Sequence, residues 1–205
     1  LEHGGKRLLV DCGLFQGLKQ LRLRNWDVFP LQPETIDAVV LTHAHIDHSG
    51  YLPALARQGF RGPVFCTEAT RDLCALLLPD SGHLQEEDAL YANRRGFSKH
   101  SPALPLYTEQ DARKTLRLFQ PQQFDAEFEP VEGLRMRFSL AGHILGAASV
   151  HVQWGSGSLL FSGDLGRDED VVMRPPESPP AADYVVMEST YGDRTHGQAP
   201  GDRLV

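Results

Sequence analysis

The stretch Thr42-His43-Ala44-His45-Ile46-Asp47-His48-Ser49-Gly50 constrains this chain more than any other part of it. It follows directly on the apolar run Asp37 to Leu41, which reads as a strand. Two histidines spaced by two at a strand end project to the same side, so His43 and His45 can reach one metal ion. Asp47 and His48 fall where the next helix begins, turned toward a second ion. Four candidate ligands within six residues, three of them histidines, is not the composition of a core. Neutral imidazole suits zinc, and a carboxylate lets a site hold a hard, water-bearing cation. The alternative, a solvated polar loop, would not need this spacing. Whatever fold forms must therefore end a strand and start a helix at one polar site.

Other ligands should come from other strand ends, and two places qualify by local sequence. Gly142-His143-Ile144-Leu145-Gly146 follows a strand ending at Leu140, and Ser162-Gly163-Asp164-Leu165-Gly166 follows one ending at Phe161. Glycines beside a polar residue fit a tight turn where backbone passes close to an ion or a substrate. Alone, such a His or Asp is more often structural. Beside the first cluster, His143 and Asp164 become ligand candidates.

Short apolar runs read as strands at Arg7 to Asp11, Ile36 to Leu41, Val64 to Cys66, Leu134 to Leu140, Ser149 to Trp154, Leu159 to Ser162 and Tyr184 to Met187. Helical spacing lies between them. Leu52, Leu55 and Ala56 share one face, and Leu73, Leu76 and Leu77 share another, one turn after Ala69. Thr108 followed by Asp111 resembles a capping box, with Ala112, Leu116 and Phe119 as an apolar stripe behind it. Mixed strands and helices make this an α/β or α+β layered domain. Residues 80 to 106 read either as a long active-site loop or as a broken helix. Residues 166 to 182, with four prolines, should be largely extended.

At 205 residues the chain suits one ordinary domain or a piece of a larger one. Its net charge of −7 gives no overall electrostatic footprint for nucleic acid, so an anionic substrate would need local cations or bound metal. No apolar run is long enough to cross a bilayer. Cys12, Cys66 and Cys74 form no paired motif and read as buried apolar side chains in a reducing compartment, with the cytoplasm as the default location. The start, Leu1-Glu2-His3-Gly4-Gly5, has no initiator Met and reads as a cut end.

The ordered set His43-x-His45-x-Asp47-His48, then His143, then Asp164 resembles the ligand set of the metallo-β-lactamase superfamily. Asp11, at the end of an early strand, matches the aspartate that supports those ligands from behind. The resemblance implies an αββα sandwich, here incomplete at both ends. It also implies two zinc ions: His43, His45 and His143 on one, Asp47 and His48 on the other, Asp164 bridging. The wording Gly142-His143-Ile144-Leu145-Gly146-Ala147, Ser162-Gly163-Asp164-Leu165-Gly166-Arg167 and Glu188-Ser189-Thr190-Tyr191-Gly192 is similar to the β-CASP nucleases, in their RNA-cleaving branch. Phe97 to Tyr107 resembles that branch as well. The family pattern then divides the chain into a metallo-β-lactamase portion, residues 1–187, and the start of an inserted domain, residues 188–205. It leaves the last zinc ligand and a histidine acid beyond residue 205, so the chain reads as an enzyme fragment that is itself inactive.

The same resemblance implies hydrolysis of single-stranded RNA, endonucleolytic or 5′–3′ exonucleolytic, by a hydroxide shared between the metals. Asp47, Asp164 and Glu188 are the catalytic candidates, Glu188 orienting the missing histidine acid. Assembly as a homodimer or within an RNA-processing complex would fit, with no membrane partner. Arg94, Arg95 and Lys99 could contact phosphates, although a solvated charged face explains them as well. His83, His100, His151 and His196 have no ligand spacing, and His151 reads as a packed strand residue. Two other functions compete: hydrolysis of small esters, thioesters or lactams on the same scaffold, and a non-catalytic assembly subunit, which six intact ligands argue against.

Overall fold

The structure, a computed structural model, describes residues 1–190, 192 and 193; Tyr191 and His196 lie outside them. Its strands are β1 (Glu2–His3), β2 (Lys6–Val10), β3 (Ala38–Val40), β4 (Val64–Thr67), β5 (Phe119–Gln122), β6 (Glu127–Val131), β7 (Leu134–Leu140), β8 (Ala148–Trp154), β9 (Gly157–Phe161) and β10 (Tyr184–Val186). The helices are α1 (Lys19–Leu23), α2 (Ile46–Ser49), α3 (Leu52–Arg57), α4 (Glu68–Arg95) and α5 (Glu109–Thr115), with short 3₁₀ turns between some of them.

The strands form two sheets, in the orders β1-β2-β3-β4-β5 and β10-β9-β8-β7-β6. In the first, β2 to β5 run parallel and β1 is antiparallel to β2. In the second, β6 to β9 are antiparallel and β10 joins β9 in parallel. Parallel strands covered on both faces read as continuous apolar runs, and Ala38-Val39-Val40 is fully buried. Alternation still sorts its side chains. Ala38 and Val40, with Leu8 and Phe65, face Met136, Phe138, Val150 and Val152 of the second sheet. Val39 and Leu41, with Val64 and Cys66, face Leu52, Leu55, Cys74, Leu78 and Ala112 of the helices.

The helical layer is built as its sequence directs. Thr108 and Asp111 form a reciprocal capping box at the start of α5. α5 is shorter than the apolar stripe suggested: Leu116 lies in a 3₁₀ turn and Phe119 opens β5, so the stripe crosses an element boundary. The larger correction concerns residues 80 to 106. The first part of that stretch is regular helix, because α4 runs unbroken for 28 residues through Pro79. Pro79 removes one backbone donor, but it is buried with Leu78 against the core, and that packing holds the helix through the defect. Gly82 is the crossing point: a Cβ there would lie 2.7 Å from the Glu109 backbone nitrogen, so α5 can start hard against α4. The segment 166 to 182 carries neither helix nor strand, as its prolines require. Among the described residues no helix covers the outer face of the second sheet, where Arg135 is exposed and Arg137 and Gln153 are partly so.

This topology sets up the site. β2, β3 and β4 are parallel and finish at one edge, where crevices outside strand ends collect ligands in open α/β sheets. The β7–β8 turn arrives at the same edge, since the Ala148 N–H donates to the Thr42 carbonyl at 2.9 Å. His43 and His143 come from different sheets joined at that bond.

Candidate metal centre

Four side chains converge at this edge. His43, His45, His143 and Asp164 place one ligand atom each within 4.8 Å of one another. His45 Nδ1 lies 3.0 Å from His43 Nε2 and 3.2 Å from His143 Nε2. Asp164 Oδ2 is 3.8 Å from His43 Nε2 and 3.6 Å from His143 Nε2. Its other oxygen, Oδ1, lies 3.3 Å from His48 Nε2, and Asp47 Oδ2 is 3.9 Å from that same nitrogen. Asp164 thus stands between two donor sets, His43, His45 and His143 on one side and Asp47 and His48 on the other.

One carboxylate organises both sets. Asp11 Oδ1 accepts the Thr42 N–H at 2.7 Å, and Oδ2 accepts the Thr42 hydroxyl at 2.8 Å. His48 Nδ1 is 2.8 Å from the same Oδ2, and an ionised carboxylate only accepts, so Nδ1 carries the proton. The Thr42 hydroxyl donates its hydrogen to Asp11 and must accept from His43 Nδ1 at 3.0 Å. Both rings are thereby fixed with Nε2 bare and turned inward, the tautomer a metal ligand needs. Asp11 holds a left-handed backbone, φ 59°, which aspartate tolerates better than most residues.

The electrostatics suit cation ligation. Burial drives the His43 ring down to about 2, with His48, His45 and His143 adding to the effect, so it is neutral in the folded protein. Burial lowers His45 too, helped by His143. For His48 burial works downward, but the Asp11 hydrogen bond and the nearby carboxylates outweigh it and the pKa rises. Burial raises Asp164, Glu188 adds to that, and His48 opposes it. Neutral His43 and His45 beside a crowded carboxylate offer the kind of donor set a divalent ion takes.

The glycines explain why these loops can meet. A Cβ on Gly166 would sit 1.9 Å from the Gly142 carbonyl oxygen, so the loops carrying Asp164 and His143 touch through bare backbone. Thr67 and Thr70, at the start of α4, donate to the Gly146 carbonyl at 2.7 and 3.0 Å and tie the His143 loop to the helical layer. Glu188 closes the far side. Its Oε1 accepts the Leu165 N–H at 2.8 Å, and its own N–H donates to Ser162 Oγ at 3.1 Å.

The centre opens on a cavity of about 680 Å³ whose wall includes His45, His143, Asp164, Arg167 and Glu188. Arg167 is the guanidinium that reading the sequence missed, although it sits three residues after Asp164 in the same turn motif. Arg94, Arg95 and Lys99 are exposed and do not line this cavity. Thr70 is hydrogen-bonded to the His143 loop, and Arg95 lies 25 residues further along α4, a rise of about 38 Å. His151 is buried within β8, as its strand pattern suggested. The three cysteines are buried and unpaired, and burial pushes the thiol of each well above its ordinary value.

Comparison with known proteins agrees with this geometry. Over 193 residues, 94% of its length, the chain is 39% identical to Ribonuclease TTHA0252 of Thermus thermophilus, of which it spans 40%. It is 32% identical over 91% of its length to Transcription termination factor FttA of Methanococcus maripaludis, spanning 28% of that protein. It is also 32% identical over 96% of its length to Cleavage and polyadenylation specificity factor 73 of Drosophila melanogaster, spanning 27% of it. The chain therefore covers well under half the length of these relatives. A family model described as the metallo-beta-lactamase superfamily matches residues 1–193, and with six candidate ligands gathered at one sheet edge, this chain belongs to that superfamily.

Proposed function

We propose that this chain carries the two-zinc centre of a β-CASP phosphodiesterase that cuts single-stranded RNA. The observation that carries the reading is Asp164, whose two oxygens face two separate donor sets, at 3.6 to 3.8 Å on one side and 3.3 Å on the other. A pair of zinc ions held there would supply Lewis-acid charge and a water acidic enough to act near neutral pH. The chain's own residues do the rest. Asp11 keeps His48, and through Thr42 His43, in the ligating tautomer, and Glu188 pins the turn that presents Asp164. Arg167 stands at the cavity wall to hold a phosphate oxygen, a place Arg94, Arg95 and Lys99 do not occupy. That local cation, together with the ions, offsets a net charge of −7 that would otherwise repel RNA.

RNA is favoured over small esters or lactams by the Glu188-Ser189-Thr190-Tyr191-Gly192 wording and by relatives named as a ribonuclease and a cleavage factor. No helix among the described residues is long and apolar enough to cross a membrane. Buried free cysteines fit a reducing compartment such as the cytoplasm. The test is the zinc content of this chain by elemental analysis, together with cleavage of a labelled single-stranded RNA by the full-length protein that contains it, expected to leave 5′-phosphate ends. Asp164→Asn should abolish cutting while the protein stays folded. Hydrolysis of a lactam or thioester with none of RNA would overturn the reading.

A further inference from the structure

Outside the metal centre, a second cleft of about 530 Å³ opens between the loop after β2 and one side of α4. One of its lining residues adjoins candidate metal ligands along the chain. Ile46, on its floor, lies between the ligands His45 and Asp47, and Leu14, also on the floor, donates its N–H to the Ile46 carbonyl at 2.9 Å. Phe15 and Trp26 stand in the wall, 43% and 60% exposed. Phe15 is only four residues past Asp11, so its Cα lies within about 14 Å of Asp11. The platform is rigid. Asn25, itself buried, accepts the Phe15 N–H at 2.8 Å and donates to the Phe15 carbonyl at 2.9 Å.

The polar groups around this platform are sorted by sign. Lys19 and Arg22, from α1, supply cations, whereas α4 supplies acceptors in Asp80, Gln85 and Asp88. Gln85 Oε1 is buried and has no hydrogen-bond partner. Aromatic faces beside cations, close to a phosphodiesterase centre, match how proteins hold single strands: bases stack on rings and phosphates meet cations. A wall of acceptors adds a preference. Exocyclic amino groups of adenine, cytosine or guanine can donate to it with two hydrogens, whereas uracil offers a single N3–H flanked by two carbonyl oxygens that the carboxylates repel.

We propose that this cleft is a nucleobase subsite, taking an unpaired base with an exocyclic amino group from the strand that crosses the metal centre. The base stacks on Trp26, beside Phe15, whose ring carries the Arg24 guanidinium 4.4 Å from its centroid; the amino group of the base faces Asp80 and Asp88, and Lys19 and Arg22 hold the flanking phosphates. The proposal rests on the RNA-cleaving reading and specifies part of its substrate.

The test is binding of short fluorescein-labelled oligoadenylate and oligouridylate to the full chain, followed by anisotropy and tryptophan emission in chelator so that no cleavage intervenes. Oligoadenylate should bind more tightly than oligouridylate and quench the emission, with the quench lost in Trp26→Phe. Trp26→Ala should weaken oligoadenylate about tenfold, the loss expected for one base–aromatic stack. Asp88→Asn, at an exposed position that cannot threaten folding, should narrow the preference between the two RNAs. Equal affinities for both RNAs and no change in either variant would overturn the subsite. If zinc-loaded protein still cut RNA in that case, the proposed function would stand without it. Selective binding and quenching by this chain, with no RNA cut by the zinc-loaded full-length protein that contains it, would support the subsite and sink the nuclease reading instead. Failure of both RNAs to quench Trp26 would also overturn it.

Discussion

Replacing Gly13 by alanine should disrupt the Asp47–His48 donor set most. The segment Asp11 to Leu14 is zipped onto the ligand helix: Cys12 N–H donates to the His48 carbonyl at 2.7 Å and Leu14 N–H to the Ile46 carbonyl at 2.9 Å. Gly13 lies between those bonds, facing Asp47. A Cβ there would sit 1.5 Å from the Asp47 carbonyl oxygen and 2.7 Å from the His48 nitrogen. All the opposing atoms are backbone, so no side chain can swing away. Restoring ordinary contact at about 3.4 Å requires a relative shift of about 1.9 Å, far beyond the roughly 0.2 Å tolerance of a metal ligand. If the helix moves, Asp47 and His48 leave Asp164; if the loop moves, Asp11 leaves His48. Either way the Asp47–His48 set is lost, while His143 keeps its anchor on Thr67 and Thr70. The stability cost should be about 2–4 kcal/mol, overpacking plus one broken backbone hydrogen bond. Zinc-loaded Gly13→Ala should then retain less metal than the wild type after gel filtration, with a lower urea midpoint. RNA cleavage should fall by ~10²-fold or more, the usual consequence of an ångström-scale misplacement. Wild-type zinc content with an unchanged midpoint would refute the reasoning, because it would mean that the Asp11–Leu14 loop does not set the position of Asp47 and His48.

Asp11→Asn keeps the shape but replaces an oxygen that accepts from both Thr42 and His48, and should weaken zinc about 10–100-fold in chelator competition. Unchanged affinity would remove Asp11 from its orienting role. His43→Ala should cost more zinc on dialysis than Asp47→Ala, since His43 is fully buried among three other candidate donors and Asp47 is more than half exposed at the rim. Metal-stripped protein should lose stability as pH falls below about 6.5. The His43 pKa is about 2 when folded and near its ordinary value when unfolded, so the unfolded chain takes the extra proton between those limits. His43 alone accounts for about 1.4 kcal/mol between pH 7.5 and 5.5, with His45 adding and His48 opposing. Denaturation midpoints that rise over that range would contradict a buried, neutral His43.

Local sequence was enough to single out the candidate ligands. His43, His45, Asp47 and His48 sit within one strand end and one helix start, where spacing alone sets their direction, and the glycines around His143 and Asp164 mark turns that bring backbone close. The β3 strand, the α5 capping box and the extended proline segment were legible for the same reason, because each depends on neighbours within a few residues. The rest depended on contacts between distant parts of the chain. Residues 80 to 106 read as a loop or a broken helix until Leu78 and Gly82 are seen packed against the core and the start of α5. β1, β5 and β6 are strands because they have partners; Phe119-Gln120-Pro121-Gln122 shows no strand pattern without β4 beside it. Arg94 and Arg95 are sequence neighbours of motif residues, yet helix rise carries them far from the metal ligands, whereas Arg167 reaches the cavity because its turn folds back. That one carboxylate, Asp11, sets the tautomers of both His43 and His48 could come only from the tertiary structure. A hydrogen-bond chain spanning 37 residues leaves no mark on local spacing, and only the parallel pairing of β2 with β3 brings its members together.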